Sequence, residues 1–201
     1  MGRMRGIVEK PTGFRYVPSF LAVEEAQNLS QRLVDLDYGE VRMHGQVARR
    51  LVRHYGVGYE FDSASITAGD PVPAWLSEVR ERCASLLEVP AASLEEVLVT
   101  YYPPGATIGW HRDAPPFGHV AGVSLGSSCF LRFQRGSGDA RRVFEQQLDP
   151  RSAYALTGQA RSSWQHSIPA VAAERYSLTF RTLRRSLVQS RSIHEHRVDH
   201  A

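Results

Sequence analysis

The sequence has almost no lysine and very little cysteine. Lys10 is the single lysine among 24 basic residues, and the only cysteines are Cys83 and Cys129, too few for a disulfide scaffold or a zinc cluster. No stretch reaches the roughly 18 apolar residues that a membrane-spanning helix needs. The basic first residues are also not followed by the apolar run of a secretory signal. We therefore expect a cytoplasmic globular protein with no membrane partner.

The positive charge is concentrated at the two ends. The formal net charge is +3, but residues 1–15 contribute +3 and residues 184–201 contribute +2, so residues 16–183 carry −2. The length of 201 residues fits one domain. We expect a single domain over 1–201 with basic tails at 1–15 and 184–201. Such tails are either solvated or bound to nucleic acid.

The periodicity of the apolar residues changes along the chain. Apolar positions spaced by three or four predict helices over about 22–36 and 74–87. From residue 94 onward the period is two, and Pro and Gly separate the segments. The predicted strands are 97–102, 119–127, 129–135, 152–157, 162–169 and 175–183. Helices followed by short strands indicate an α+β fold with a β-sandwich or jelly-roll core over 94–183.

Residues 37–70 combine cations and aromatic rings on a glycine-rich segment. The candidate substrate-binding residues are Arg49, Arg50, Arg53, Tyr55, Tyr59 and Phe61. Arginines between aromatic rings suit phosphates and stacked bases. A surface hairpin with an arginine-rich face and a few core aromatics explains the same composition equally well.

Three candidate metal ligands lie in the β-rich half. His111 and Asp113 share one face of an extended segment, and His166 lies in a later predicted strand. Two imidazoles and one carboxylate are the ligand set of non-haem Fe(II) oxygenases. Catalytic zinc also accepts three such ligands, but a zinc enzyme would still need a general base, and no nearby acid is an obvious candidate.

The predicted last strand carries polar groups on one face. Arg175, Ser177, Thr179 and Arg181 alternate with three apolar residues. Arginines that face inward need an anionic partner, because an unpaired buried charge is costly. A dicarboxylate suits them, since guanidinium binds carboxylate through two hydrogen bonds.

The run from Val99 to Leu183 resembles the AlkB family of Fe(II)- and 2-oxoglutarate-dependent dioxygenases. The matching pieces are YYPPGATIGWHRD, VSLGS, WQHSIP and RYSLTFR, in the family's order and at its intervals. The resemblance implies a double-stranded β-helix (jelly-roll) core, with N-terminal helices packed against it. It also implies a nucleotide-recognition lid at 37–70.

The same resemblance implies Fe(II), 2-oxoglutarate and O2 as cofactor and cosubstrates. It assigns the metal to His111, Asp113 and His166, and 2-oxoglutarate to Tyr102, Arg175 and Arg181. Arg181 is expected near the metal-chelating end, among the catalytic residues. Thr100 and Ser177 stand where the family often has asparagine, and both can still hydrogen-bond the cosubstrate.

The activity implied is oxidative dealkylation of N-alkylated bases in DNA or RNA, with no obligate protein partner. Some family members have an acidic residue just past the HxD motif that contacts the damaged base. This sequence has Ala114, Pro115 and Pro116 there, so base preference does not transfer. The alternatives are an oxygenase acting on a protein side chain or small molecule, and a catalytically silent β-sandwich binding module.

Overall fold

The computed structural model describes residues 6–43, 46–60 and 65–184. In chain order its strands are β1 (Ile7–Val8), β2 (Phe14–Val17), β3 (Gly39–Met43), β4 (Gln46–Glu60), β5 (Ser65–Ala68), β6 (Leu94–Tyr102), β7 (Ile108–His111), β8 (Phe117–Gly126), β9 (Cys129–Arg135), β10 (Arg142–Leu148), β11 (Ala153–Leu156), β12 (Gln165–Ile168) and β13 (Arg175–Leu183). The helices are α1 (Val23–Val34), α2 (Ser77–Leu87) and the short α3 (Gly158–Ser162).

The strands form two sheets. The larger has the order β2-β11-β8-β13-β6-β4-β3, and the smaller has the order β1-β10-β9-β12-β7. One buried cluster takes side chains from both sheets, including Tyr102 and Leu156 from the larger and Leu131 and Ile168 from the smaller. The sheets therefore pack face to face, and the predicted jelly-roll core is confirmed.

The helices cover the other face of the larger sheet. Leu29 and Leu33 of α1 and Cys83 of α2 share a second core cluster with Leu178 and Phe180 of β13. Because β13 is covered on both faces, its polar residues point between the sheets while its apolar residues meet the helices. The predicted α+β arrangement is confirmed, with α1 ending at Val34 and α2 preceded by a 3₁₀ turn at Ala74–Leu76.

Several elements differ from the sequence prediction. The segment 162–169 begins inside α3 and contains only the short strand β12, while β1, β2, β7 and β10 were not predicted. Residues 6–15 do not form a solvated tail, because β1 pairs with β10 and Phe14 is buried at the start of β2. The outer parts of the predicted tails, 1–5 and 185–201, lie outside the described residues.

The segment 37–70 continues the larger sheet. β3 and β4 form an antiparallel hairpin, and β4 pairs with β6 from Leu51 to Gly56. Gly56 has a φ of 79°, and a side chain there would collide with the carbonyl of Glu95. This glycine lets β4 lie close to β6, so the hairpin is fixed beside the β core. No helix among the described residues has the length and apolar character to cross a membrane.

Candidate metal and cosubstrate site

The three candidate metal ligands lie together at one end of the smaller sheet. His111 ends β7 and is paired across the sheet with His166 of β12, while Asp113 follows two residues after β7. Their ligand atoms all lie within 4.8 Å of one another. His166 Nε2 is 3.7 Å from Asp113 Oδ2, and the two imidazole centroids are 4.3 Å apart.

The hydrogen bonds of His111 and Asp113 leave one ligand atom on each side chain without a hydrogen-bond partner. His111 Nδ1 lies 2.9 Å from the Gly109 carbonyl, so it donates there and leaves the lone pair of Nε2 available. Asp113 accepts a hydrogen bond from Arg181 at Oδ1, while Oδ2 is buried without a hydrogen-bond partner. An unpaired buried carboxylate oxygen between two imidazoles fits a divalent metal ion.

Electrostatics keep all three side chains in their ligand forms. Burial lowers the pKa of His166 to about 3, and it also lowers the pKa of His111, although Asp113 opposes both shifts. Burial alone would raise the pKa of Asp113, but the Arg181 guanidinium and the neighbouring histidines and Arg161 outweigh it and lower that pKa well below its usual range. Near neutral pH the site holds two neutral imidazoles and one carboxylate.

Arg181 is held by a carboxylate that sequence reasoning missed. Its Nη1 donates to Glu96 at 2.8 Å and its Nη2 donates to Asp113 at 2.9 Å. Glu96 is fully buried and lies opposite Arg181 across β6 and β13. The available signal was the period-two pattern of β6, which places Glu96 on the same face as Thr100 and Tyr102.

Arg161 is a second missed residue. It is buried in α3, and its Nη2 donates to the carbonyls of Ala114 at 2.9 Å and Phe117 at 2.6 Å. Its Nε lies 4.0 Å from Asp113 Oδ2. Arg161 therefore fixes the loop that follows Asp113.

An inner cavity runs between the sheets from the metal cluster. The predicted cosubstrate residues Thr100, Tyr102 and Ser177 line it, together with Thr179 and Arg181. Arg175 is fully buried and its guanidinium lies 4.8 Å from the centroid of the Tyr102 ring. Arg175 does not line the cavity, but its guanidinium adjoins the ring of Tyr102, which does.

Arg175 fits a carboxylate ligand. Its Nε donates to Ser124 at 3.2 Å, while Nη1 and Nη2 are buried with no hydrogen-bond partner. Because a buried guanidinium without an acceptor is costly, these two donors are suited to bind the carboxylate of a ligand.

A separate outer cavity of about 250 Å³ opens onto the same cluster. Its wall includes Arg50, Val52 and His54 of β4, and Trp110 and Arg112 beside the metal ligands. The Trp110 side chain is partly exposed at this wall, although sequence reasoning passed over it. The outer cavity shares Thr100, His111 and Asp113 with the inner one, so a molecule bound here would meet the metal cluster directly.

Only part of the predicted substrate set reaches this cavity. Strand alternation turns Arg50 toward it and turns Arg53 and Tyr55 to the opposite face. The prediction that Tyr55 stacks on a base is wrong, because its ring is buried in the helical core cluster, 6% exposed. Arg53 is ion-paired with Asp70 and lies over the Tyr55 ring.

The other predicted substrate residues are not placed in the cavity. Arg49 is exposed and is not among the residues that line the outer cavity. The backbone of Tyr59 pairs with Ile66 of β5, and its side chain is not described. Phe61 lies outside the described residues.

Comparison with known proteins indicates the family of this chain. Residues 13–188 match the family model described as the 2OG-Fe(II) oxygenase superfamily. The mouse tRNA (carboxymethyluridine(34)-5-O)-methyltransferase ALKBH8 is 26% identical over 172 residues, which cover 81% of this chain and 25% of the mouse protein. The alkylated DNA repair protein ALKBH8 homolog of Arabidopsis thaliana is 25% identical over 181 residues, 78% of this chain and 51% of the plant protein. This chain thus spans a quarter to a half of the length of these relatives.

Solved structures support the fold. The structure of OsALKBH1 aligns with a TM-score of 0.66 at 16% identity, over 87% of this chain and 98% of that one. A Burkholderia pseudomallei oxidoreductase of the 2OG-Fe(II) oxygenase family aligns with a TM-score of 0.58 at 14% identity, over 90% and 97%. The match to the oxygenase family model over residues 13–188 favours an enzyme over a silent binding module. The chain is similar to AlkB-type proteins, and it belongs to the 2OG-Fe(II) oxygenase superfamily as a dioxygenase that uses Fe(II), 2-oxoglutarate and O2.

Proposed function

We propose that this enzyme oxidatively removes alkyl groups from ring nitrogens of nucleobases in DNA or RNA. The outer cavity carries the proposal, because it joins the partly exposed Trp110 ring and the cations Arg50 and Arg112 to the metal cluster. The Trp110 ring could stack on a base that has left the base stack of the nucleic acid, while the arginines bind the phosphates of that nucleotide and its neighbours.

In this proposal the protein supplies positioning. His111, Asp113 and His166 would hold Fe(II), and Arg175 with Tyr102 would hold the distal carboxylate of 2-oxoglutarate. The bound iron, with 2-oxoglutarate and O2, supplies the oxidising power to hydroxylate the alkyl carbon next to the base nitrogen. The hydroxylated group then leaves as an aldehyde, while 2-oxoglutarate is converted to succinate and CO2.

The names of the relatives support a nucleic-acid substrate. The mouse protein is named for a tRNA and the Arabidopsis protein for alkylated DNA. The two names differ in the nucleic acid, so both DNA and RNA belong in the test.

The test is turnover on matched substrates. The protein with Fe(II), 2-oxoglutarate and O2 is incubated with N-methylated DNA and RNA oligonucleotides of one sequence, and in parallel with methylated peptides. We expect formaldehyde and succinate in equal amounts from an oligonucleotide, and none from Asp113→Ala. Formaldehyde from peptides alone would move the assignment to a protein-modifying oxygenase.

A further inference from the structure

We propose that His54 is the side chain that hydrogen-bonds the substrate in the outer cavity, and that Glu96 is the residue that positions it. The inference rests on the proposed function, because the ligand is the base that enters this cavity. The role assigned to His54 is that of an acceptor for an N–H group beside the alkylated nitrogen.

The contact between His54 and Glu96 determines which ring nitrogen faces the ligand. His54 Nδ1 lies 3.2 Å from Glu96 Oε1, and the His54 side chain is 39% exposed at the wall of the outer cavity. A carboxylate only accepts, so Nδ1 carries the hydrogen and donates it. In the neutral ring Nε2 then has a free lone pair and accepts from the ligand.

Glu96 is itself fixed. Its side chain is buried, and its second oxygen accepts from Arg181 at 2.8 Å. Gly56 of β4 is paired with Glu96 across the sheet, which holds His54, two residues earlier, next to that carboxylate. Glu96 therefore holds the His54 ring in one orientation, and the same carboxylate contacts Arg181 at the metal cluster.

The remaining cavity wall offers few acceptors. Among the described residues that line it, the only carboxylates are Glu96 and Asp113, and both are paired with Arg181. Arg50 and Arg112 are donors only. Asp113 Oδ2 and His111 Nε2 also face this region, but they are assigned to the metal. The side-chain acceptors left are the Thr100 hydroxyl, shared with the inner cavity, and His54 Nε2.

A pair of oligonucleotides isolates this hydrogen bond. The bases 1-methyladenine and 1-methylhypoxanthine carry the same methyl group on N1, and neither has an amino group at C2. They differ at C6, which holds an amino donor in the first and a carbonyl acceptor in the second. The measured quantity is the ratio of kcat/KM for 1-methyladenine to that for 1-methylhypoxanthine. Because it is a ratio, any loss of active enzyme cancels.

Replacing His54 should change this ratio. In His54→Phe we expect it to fall about tenfold, the effect of one hydrogen bond, mainly through a higher KM for 1-methyladenine. His54→Gln, whose amide oxygen can accept, should restore part of it. His119→Phe, an exposed histidine outside both cavities, is the matched control and should keep the wild-type ratio.

Glu96 should act through His54. Glu96→Gln can donate to Nδ1 and so transfer the ring hydrogen to Nε2, and we expect a similar fall in the ratio, together with slower turnover of both bases. The double variant should have a ratio no lower than His54→Phe alone, because both changes remove one interaction. Glu95→Gln, at a residue that lines neither cavity, is the control.

The outcomes separate the two proposals. If the wild type yields formaldehyde from neither oligonucleotide, the proposed function fails and this inference fails with it. If the wild type demethylates but His54→Phe keeps the wild-type ratio, the role of His54 is overturned and the proposed function stands. If only Glu96→Gln keeps the ratio, Glu96 is not the positioning residue.

Discussion

At the scale of single residues, the metal cluster behaves as one unit. His111→Ala, Asp113→Ala and His166→Ala should each abolish coupled turnover, because each removes one of three ligands that lie within 4.8 Å of one another. The double variants should be no worse than the single ones. Binding of Co²⁺, followed by its visible absorption, measures the loss directly.

The measurement also includes 2-oxoglutarate decay without substrate. Decay at the wild-type rate in any of the three variants would contradict the ligand assignment. Arg132→Ala, which removes the ion pair between Arg132 of β9 and Glu145 of β10, serves as a control for general damage to the smaller sheet.

Arg175 should govern affinity for the cosubstrate. Its two unpartnered Nη atoms predict that Arg175→Ala raises the KM for 2-oxoglutarate on the order of 10- to 100-fold, the effect of losing a charge-assisted pair. The kcat at saturating 2-oxoglutarate should fall less. An unchanged dependence on 2-oxoglutarate would show that the inner cavity does not hold the distal carboxylate.

At the scale of elements, the two faces of β4 have different roles. One face lines the outer cavity, and the other packs against the helical core. Tyr55→Ala should lower the free energy of unfolding by about 3 kcal/mol, because it opens a cavity between the larger sheet and the helices. Urea unfolding measures this effect, with Val47→Ala on the exposed part of the same strand as a control. A Tyr55 variant of full stability with weakened oligonucleotide binding would reverse the assignment of the two faces.

The elements also show what the sequence could predict. β9 and β13 begin and end at the predicted residues, because seven and nine residues of alternating pattern are long enough to detect. β7 has four residues and too short a pattern to detect. Composition alone grouped Arg50 with Tyr55, although an odd sequence separation in a strand puts them on opposite faces.

Partners across the sheets were harder to predict than motifs. His111, Asp113 and His166 were identifiable because their residue types and spacing carry the chemistry. The roles of Glu96 and His54 depend on which strands are neighbours, since Glu96 meets Arg181 from β13 and His54 from β4. The order of the strands in the sheet could not be inferred from the pattern of a single sequence.

At the scale of the whole molecule, the two thiols report on unfolding. Cys83 and Cys129 are free and buried, and burial raises the pKa of Cys83 to about 12. At pH 8 we expect iodoacetamide to modify Cys83 far more slowly in the folded protein than in 6 M guanidinium chloride, because burial both excludes the reagent and disfavours the thiolate. Mass spectrometry of the labelled peptide measures the rate. Fast labelling of the folded protein would mean that the core around α2 opens readily.

The position of β7 has a consequence for how the enzyme depends on iron. β7 is the edge strand of the smaller sheet and has one neighbour, β12, to which His111 and His166 are opposed. An ion bound by both histidines would therefore tie β7 to its single neighbour, beside the mouth of the outer cavity. Binding of the metal and ordering of β7 would then be thermodynamically linked. The fraction of molecules that can bind substrate would then depend on the concentration of free Fe(II), independently of its role in the reaction.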